Sequence, residues 1–296
     1  MRFAIIPYSG LSGYFISLAD QTATLLSETS EPCHETITVR ELGPEDHLVL
    51  HASSKAFLVN RRGTRCRVSM LLVEPTAIQR RFYSLIRGVG GRYHRVLTHN
   101  SRLLQQVSNA IFVPHGGTFL RRPFPENLEK DRLVSIIASR KKSTKGQALR
   151  HRVIEWAKQA GHPLGVYGYG YQPLEDKAVG HGRYMFSVVI ENSREPGYFS
   201  EKLIDALLCE SLPIYWGAPD IAHFFDPAGM IICRNESDIR RAISQASEGE
   251  YDHRLPVLQE NRRRALRYLN CLDWIPLALR SEEFVRPAIS QVPPFE

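Results

Sequence analysis

Short apolar runs alternate along the chain with longer segments whose apolar positions recur at helical spacing. In the first part of the chain the runs predict five strands: Phe3–Tyr8, His47–Ala52, Val68–Val73, Val96–His99 and Ile111–Val113. Helical spacing predicts three helices, over residues 15–28, 76–87 and 101–108. This alternation is typical of parallel sheets covered by helices, and it predicts an α/β fold.

A proline-containing stretch at residues 121–127 interrupts the alternation, which then restarts. The second part predicts five strands: Leu133–Ala138, Leu164–Tyr167, Met185–Ile190, Pro213–Trp216 and Met230–Cys233. Its helices are predicted over residues 145–160, 200–210, 236–247 and 256–269. We therefore expect two doubly wound domains, residues 1–130 and 131–296, with the ligand between the carboxyl ends of their strands.

Composition excludes several classes of protein. The 296 residues are 43% hydrophobic and 23% charged, and they contain no apolar run of about 18 residues, so neither disorder nor a transmembrane span is expected. The start lacks the long apolar stretch of a secretory signal, which predicts a cytoplasmic protein. The five cysteines form no CxxC pair, and we expect reduced, buried thiols rather than disulfides or a zinc site.

Positive charge is concentrated in the middle of the chain. The formal net charge is +7, but residues 55–130 hold fourteen basic and three acidic residues. Such a stretch is compatible with an acidic substrate, an anionic membrane surface, nucleic acid or a solvated surface. The cluster formed by residues 262–264 and Arg267 likewise fits lipid headgroups or an exposed helix face. No basic-aromatic motif of nucleic-acid binding occurs, so a nucleic-acid partner is not expected.

The strongest local signal follows the predicted strand that ends at Ile190. Glu191 and Asn192 come next, and a Pro-Gly turn leads to a helix that Ser200 is suited to cap. The free amides at a helix beginning attract phosphate, and Lys202 adds a full positive charge there. This arrangement predicts a nucleotide site, with an ordinary capped helix as the alternative.

Three blocks around this turn carry a family resemblance: residues 191–193, 197–202 and 212–219. In content and spacing they resemble the fucosyltransferases of glycosyltransferase family 10, bacterial type. The resemblance covers residues 133–240 well and 66–120 loosely. It implies the GT-B fold, in which two Rossmann-like domains face a cleft, and transfer of L-fucose from GDP-fucose to a glycan hydroxyl with inversion at the anomeric carbon.

The resemblance also implies which residues bind the donor. Arg150, with Arg152 as the alternative, and Lys202 would hold the diphosphate, and Glu201 would bond the ribose hydroxyls. Two further residues would line the nucleotide or fucose pocket: Asn192 and Tyr198.

Glu74 lies at the end of the predicted strand Val68–Val73, where the resemblance places the general base. A solvent-facing glutamate is the alternative. The sequence contains no Asp-x-Asp triplet and no histidine pair with metal-ligand spacing, so we expect no metal and no cofactor beside the donor substrate. The expected partners are a nucleotide sugar and a glycan acceptor, lipid-linked in one alternative, with peripheral contact at the inner face of an anionic membrane.

Departures from the family pattern leave the donor open. Arg140 stands where the family has Asn, Met185 replaces a basic residue, and Ser200 replaces Thr. The first two affect contacts to the base or sugar of the donor, and they keep a different nucleotide sugar as the alternative. A non-catalytic protein that binds polyanions is the remote alternative.

Overall fold

Two open α/β sheets organise the chain in this computed structural model, which describes residues 1–26, 35–125 and 128–280. The strands in this part of the chain are β1 Phe3–Ile6, β2 Thr22–Leu25, β3 Thr36–Thr38, β4 His47–His51, β5 Arg67–Leu72, β6 Val96–Thr98, β7 Ala110–Phe112, β8 Arg132–Ile137, β9 Leu164–Tyr167, β10 Tyr184–Ile190, β11 Leu212–Trp216 and β12 Ile231–Ile232. The α-helices there are α1 Ser54–Phe57, α2 Thr76–Val89, α3 Ser101–Gln106, α4 Lys145–Gln159, α5 Ala178–His181, α6 Glu201–Leu208, α7 Glu236–Gln245, α8 Glu248–Ala265 and α9 Trp274–Arg280.

The first unit comprises Met1–Pro114 together with α9. Its sheet has the order β3-β2-β1-β4-β5-β6-β7, in which β1 and β4–β7 run parallel. Successive strand residues point to opposite faces, and apolar side chains are buried on both. Ile5, Val49 and Leu71 lie on one face, where Ile275 and Ala278 of α9 join them.

The helix predicted over residues 15–28 is wrong for the part that the structure describes. A 3₁₀ turn at Leu18–Asp20 is followed by β2, which pairs antiparallel with β1. Thr22 is exposed and the next residue, Ala23, is buried, as on the opposite faces of a strand. Threonine is β-branched, and the open edge of β1 offers a partner, so tertiary pairing decides the structure here. Residues 27 and 28 lie outside the described residues.

The second unit, His115–Asn270, contains an all-parallel sheet with the order β12-β11-β10-β8-β9. The five strands predicted for this part are confirmed, and β10 occupies the centre with every residue but Met185 buried. Tyr215 and Trp216 of β11 are buried as well and pack in the core of this unit. None of the described helices has the length and apolar character needed to span a bilayer.

The division between the units differs from the predicted boundary at residue 130. The backbone N–H of Gly116 donates to the carbonyl of Phe199, and the N–H of Gly117 donates to that of Tyr268. These bonds attach the segment after Pro114 to the second unit, well before the proline-containing stretch. The predicted second domain, residues 131–296, also includes α9, whereas α9 buries its apolar side chains in the first unit.

Candidate active site

A cavity of about 380 Å³ opens in the second unit at the carboxyl ends of three parallel strands. Ala138 and Ser139 follow β8, Gly168 and Tyr169 follow β9, and Ile190 ends β10; all five line it. Its charged lining consists of four residues: Arg150, Lys177, Glu201 and Lys202. We call it the sheet-edge cavity. Its position is the one at which open parallel sheets bind ligands.

Gly146 brings α4 directly against the chain that follows β10. Thr144 caps the helix by accepting from the N–H of Gln147, and Gly146 donates its N–H to the carbonyl of Asn192 at 3.1 Å. A Cβ atom on Gly146 would lie 1.7 Å from the carbonyl oxygen of Glu191. Only glycine permits this approach, and the approach places the next turn of α4 at the cavity.

Arg150 lies on that turn and is 6% exposed. Its Nε donates to the carbonyl oxygen of Ile190 at 2.9 Å, and its terminal nitrogen donates to Oδ1 of Asn192 at 3.1 Å. Burial lowers the pKa of Arg150, and the carboxylates of Glu191 and Glu201 oppose that shift. The backbone at the end of β10 therefore fixes a guanidinium group in the wall of the cavity.

Arg152, the alternative diphosphate ligand, lies elsewhere. Its side chain is 55% exposed, and its Nε donates to Oε2 of Glu236 at 2.7 Å. Glu236 begins α7 and also pairs with Arg240. The structure thus places Arg150, and not Arg152, at the sheet-edge cavity.

Glu191 fixes the beginning of α6. It is fully buried, its Oε1 accepts the N–H of Ser200 at 2.8 Å, and its Oε2 accepts the Ser200 hydroxyl at 2.6 Å. The Ser200 hydroxyl in turn accepts the N–H of Lys202 at 3.5 Å, as the sequence predicted for a cap. The contacts of Glu191 were not predicted from the sequence. They satisfy a carboxylate whose burial would otherwise be costly.

Two lysines hold Glu201 at the first turn of α6. Nζ of Lys202 lies 2.9 Å from Oε1 of Glu201, and Nζ of Lys177 lies 3.7 Å from the same oxygen. Burial alone would raise the pKa of Glu201, but the two ammonium groups outweigh burial and lower it to about 2. Glu201 is therefore ionised at neutral pH and accepts hydrogen bonds without donating any.

The remaining predicted donor residues take other places. Oδ1 of Asn192 accepts the hydrogen bond from Arg150 that is described above, so Asn192 contacts a residue of the cavity wall. Tyr198 is 1% exposed, and its ring packs edge-on against that of His115 with centroids 5.6 Å apart. The structure brings Arg150, Glu201 and Lys202 together at the cavity and buries Tyr198 in the core of the unit.

Glu74 belongs to the first unit and stands two residues after the end of β5, as its sequence position predicted. It is half-buried, and its carbonyl accepts the Tyr83 hydroxyl at 2.8 Å. Pro75 follows it as the cap of α2. These features fix the backbone at the strand end, while the role of Glu74 as a base stays a prediction.

Three polar residues of the second unit were missed by the sequence analysis: Lys177, His181 and Asp205. His181 lines the cavity, and its Nδ1 lies 2.8 Å from the hydroxyl of Ser187; burial, with Lys177 and Lys130, lowers its pKa to about 3. Lys177 and His181 fall on an irregular stretch with a four-residue helix, which has no periodic pattern. Asp205 reads from the sequence as one polar position on α6, yet it is fully buried.

The described residues contain no group of three histidine, cysteine or acidic side chains that is able to hold a metal ion. Cys66, Cys209 and Cys233 are free thiols and buried, as predicted, and Cys271 is free and half-buried. Cys33 lies outside the described residues.

No family model matches the sequence. Over 61 residues the chain is 36% identical to the α-(1,3)-fucosyltransferase FucT of Helicobacter pylori, a match that spans 21% of this chain and only 13% of that enzyme. An α1,3-fucosyltransferase crystallised with GDP aligns with 77% of this chain and 77% of its own, at 14% identity and a TM-score of 0.49.

Two other solved structures are similar over most of the chain. A crystallised variant of S. aureus TarM aligns with 79% of this chain and 55% of its own, at 12% identity and a TM-score of 0.56. The α,α-trehalose 6-phosphate synthase of Burkholderia multivorans aligns with 83% of this chain and 72% of its own, at 12% identity and a TM-score of 0.55. These likenesses show the fold, which is that of the GT-B glycosyltransferases with two Rossmann-like units, as predicted.

Proposed function

We propose that this protein is a glycosyltransferase that binds a nucleoside-diphosphate sugar in the sheet-edge cavity and transfers the sugar to a hydroxyl of a glycan. The observation that carries the proposal is the convergence of Arg150, Lys202 and the beginning of α6 on one cavity. Two fixed cations beside the positive end of a helix suit the negative charge of a diphosphate. The match to the Helicobacter pylori enzyme and the GT-B fold support it from outside the site.

L-Fucose from GDP-fucose is the donor that we propose. The three motif blocks support this donor, and so does the name of the Helicobacter pylori relative. Arg150 and Lys202 bind the diphosphate in this proposal. The ionised Glu201 accepts hydrogen bonds from the ribose hydroxyls, while Asn192 orients Arg150 and thereby completes the donor site.

The proposed reaction is one displacement with inversion at the anomeric carbon. The acceptor oxygen forms a bond to that carbon as the bond to the diphosphate oxygen breaks, and Glu74 takes the acceptor proton. Negative charge grows on the leaving diphosphate, where Arg150, Lys202 and the positive end of the α6 dipole stabilise it. Because these cations supply the charge that a divalent ion gives in other transferases, we propose that the reaction needs no metal.

A different nucleotide-sugar donor is the second candidate, and one observation favours it. Arg140, which departs from the family pattern, places its guanidinium 5.7 Å from the ring centre of Tyr169, a residue that lines the cavity. Arg140 therefore acts on the part of the wall that follows β8 and β9. A donor with another base or sugar would make the same diphosphate contacts and would differ only in its contacts with this part of the wall.

We further propose an acceptor on a lipid-linked surface oligosaccharide, which the enzyme would reach from the cytoplasm at the inner face of the membrane. Arg263 and Arg267 support this contact because both are exposed on neighbouring turns. Vesicles with anionic lipid should retain the wild-type protein at low salt and release the variant with both residues changed to glutamate. Equal retention of the two proteins would exclude this surface.

Release of nucleoside diphosphate tests the proposed function. Purified protein is incubated with an oligosaccharide acceptor pool and, separately, with GDP-fucose, GDP-mannose, UDP-glucose and UDP-N-acetylglucosamine. We expect release from GDP-fucose in the wild type. Glu74→Gln should retain donor binding and lose transfer by at least about 100-fold, the usual contribution of a general base. Turnover by Glu74→Gln at the wild-type rate would remove the assigned base, and silence with every donor would contradict the proposal.

A further inference from the structure

Lys177 contributes a third cation to the wall of the sheet-edge cavity. It precedes α5, its side chain is 25% exposed, and its Nζ lies 3.7 Å from Oε1 of Glu201 and 3.5 Å from Oδ2 of Asp205. The ring of Phe119 lies on the ammonium group, with the ring centre 4.2 Å from Nζ. Three neighbours thus hold a flexible side chain in one place.

Lys177, Lys202, Glu201 and Asp205 form one charged cluster, and Asp205 is its fully buried member. It lies one helical turn after Glu201 and is fully buried, and its Oδ1 accepts the Thr118 hydroxyl at 2.6 Å and the N–H of Phe119 at 3.1 Å. Its Oδ2 accepts no hydrogen bond from the described residues and lies 3.5 Å from Nζ of Lys177. Burying a carboxylate costs free energy unless it is paired, and here one oxygen of Asp205 pairs with the ammonium group of Lys177.

The arrangement leaves Lys177 partly exposed to the cavity and joined through Glu201 to Lys202. A purely structural ion pair with Asp205 would require neither the contact with Glu201 nor a place in the cavity wall. Lysine side chains that are already ordered before the ligand arrives bind an anion with little loss of side-chain entropy. The cluster is therefore suited to receive phosphate oxygens between two ammonium groups.

We propose that Lys177 binds the diphosphate of the donor together with Lys202, and that Asp205 is the positioning residue for Lys177. This inference rests on the proposed function, because it adds a ligand to the same donor site. Asp205 acts only through Lys177, so the effects of changing the two residues should not add.

Calorimetric titration with GDP and with guanosine tests the inference. Lys177→Met should weaken GDP binding about tenfold or more, the contribution of one charge-assisted hydrogen bond, and change guanosine binding less than twofold. Lys177→Arg should restore much of the loss. Lys158→Met serves as the matched control, because Lys158 is exposed on α4 and lies outside the cavity lining; it should bind both ligands like the wild type.

A double-mutant cycle tests the positioning role. Asp205→Asn keeps an oxygen for Thr118 and the Phe119 N–H while removing the charge that faces Lys177. It should weaken GDP binding several-fold in the wild type and have no further effect in Lys177→Met. Circular dichroism checks that each variant is folded, and Lys177→Gln replaces Lys177→Met if the latter is not.

Three results would contradict the role of Lys177, the role of Asp205 or the proposed function, respectively. Loss of GDP affinity in Lys202→Met but not in folded Lys177→Met or Lys177→Gln would overturn the inference and leave the proposed function standing. Additive losses for Asp205→Asn and Lys177→Met would remove the positioning role. Wild-type protein that binds neither GDP nor UDP would contradict the proposed function itself, and the inference with it.

Discussion

Replacing Gly146 by alanine should damage the second unit, although alanine is the better helix former. Gly146 is the second residue of α4, and its added Cβ would lie 1.7 Å from the carbonyl oxygen of Glu191 and 2.8 Å from the carbonyl carbon. The obstacle is backbone at the end of the central strand, which has no rotamer to change. Either α4 or the chain after β10 must therefore move.

The expected cost follows from a matched position. Gly249 is the second residue of α8, and a Cβ there would meet nothing within 4 Å. Gly249→Ala should stabilise the protein by about 0.5–1 kcal/mol through helix propensity and the unfolded chain. Gly146→Ala gains the same stabilisation, but the forced overpacking costs about 1–3 kcal/mol or more, so this variant should be less stable than the wild type.

Thermal unfolding of the two variants separates these effects. At about 2–4 °C per kcal/mol for a unit of this size, Gly146→Ala should lower the Tm by several degrees, and Gly249→Ala should raise it slightly. Gly146→Ala should also weaken GDP binding, since the shift separates Arg150 from the Ile190 carbonyl. A Gly146→Ala protein as stable as Gly249→Ala, with unchanged GDP affinity, would refute the reasoning from this close approach.

Two further predictions concern charged residues of the cavity. Arg150→Met should reduce GDP affinity at least about tenfold while Arg152→Met leaves it unchanged, because only Arg150 lines the cavity; equal losses in titrations of both would contradict this. Glu201 has its pKa lowered from 4.5 to about 2, so it adds stability that is present above its ordinary pKa and is lost as the pH falls toward 2. Thermal unfolding between pH 5 and pH 2 should therefore show a larger loss for the wild type than for Glu201→Gln; parallel curves would exclude this contribution.

The parallel strands were predictable because their apolar runs are bounded by turn residues and buried on both faces. Ser200 was predictable as a cap for a local reason, since capping needs only the hydroxyl and the next helical turn. Arg150 required more than periodicity, because several basic residues lie on or before the same helix. Its selection over Arg152 depended on the family resemblance, and the structure supplies the physical reason in the Ile190 carbonyl.

The parts that were missed depend on contacts distant in sequence. β2 forms because β1 offers an edge, and α9 returns to the first unit because its apolar face is buried there. The pairing of Lys177 with Asp205 joins an irregular segment to a helix, and no spacing rule connects them. Such clusters become visible only once the fold has brought the elements together.

Calorimetric titration of the wild type and Lys202→Met with GDP, in the presence of EDTA, tests the central claim most directly. The account predicts GDP binding by the wild type that survives EDTA, because Arg150 and Lys202 supply the positive charge. It predicts at least about tenfold weaker binding by Lys202→Met. Equal affinities for wild type and variant, or wild-type binding that EDTA abolishes, would contradict a donor site built from these cations.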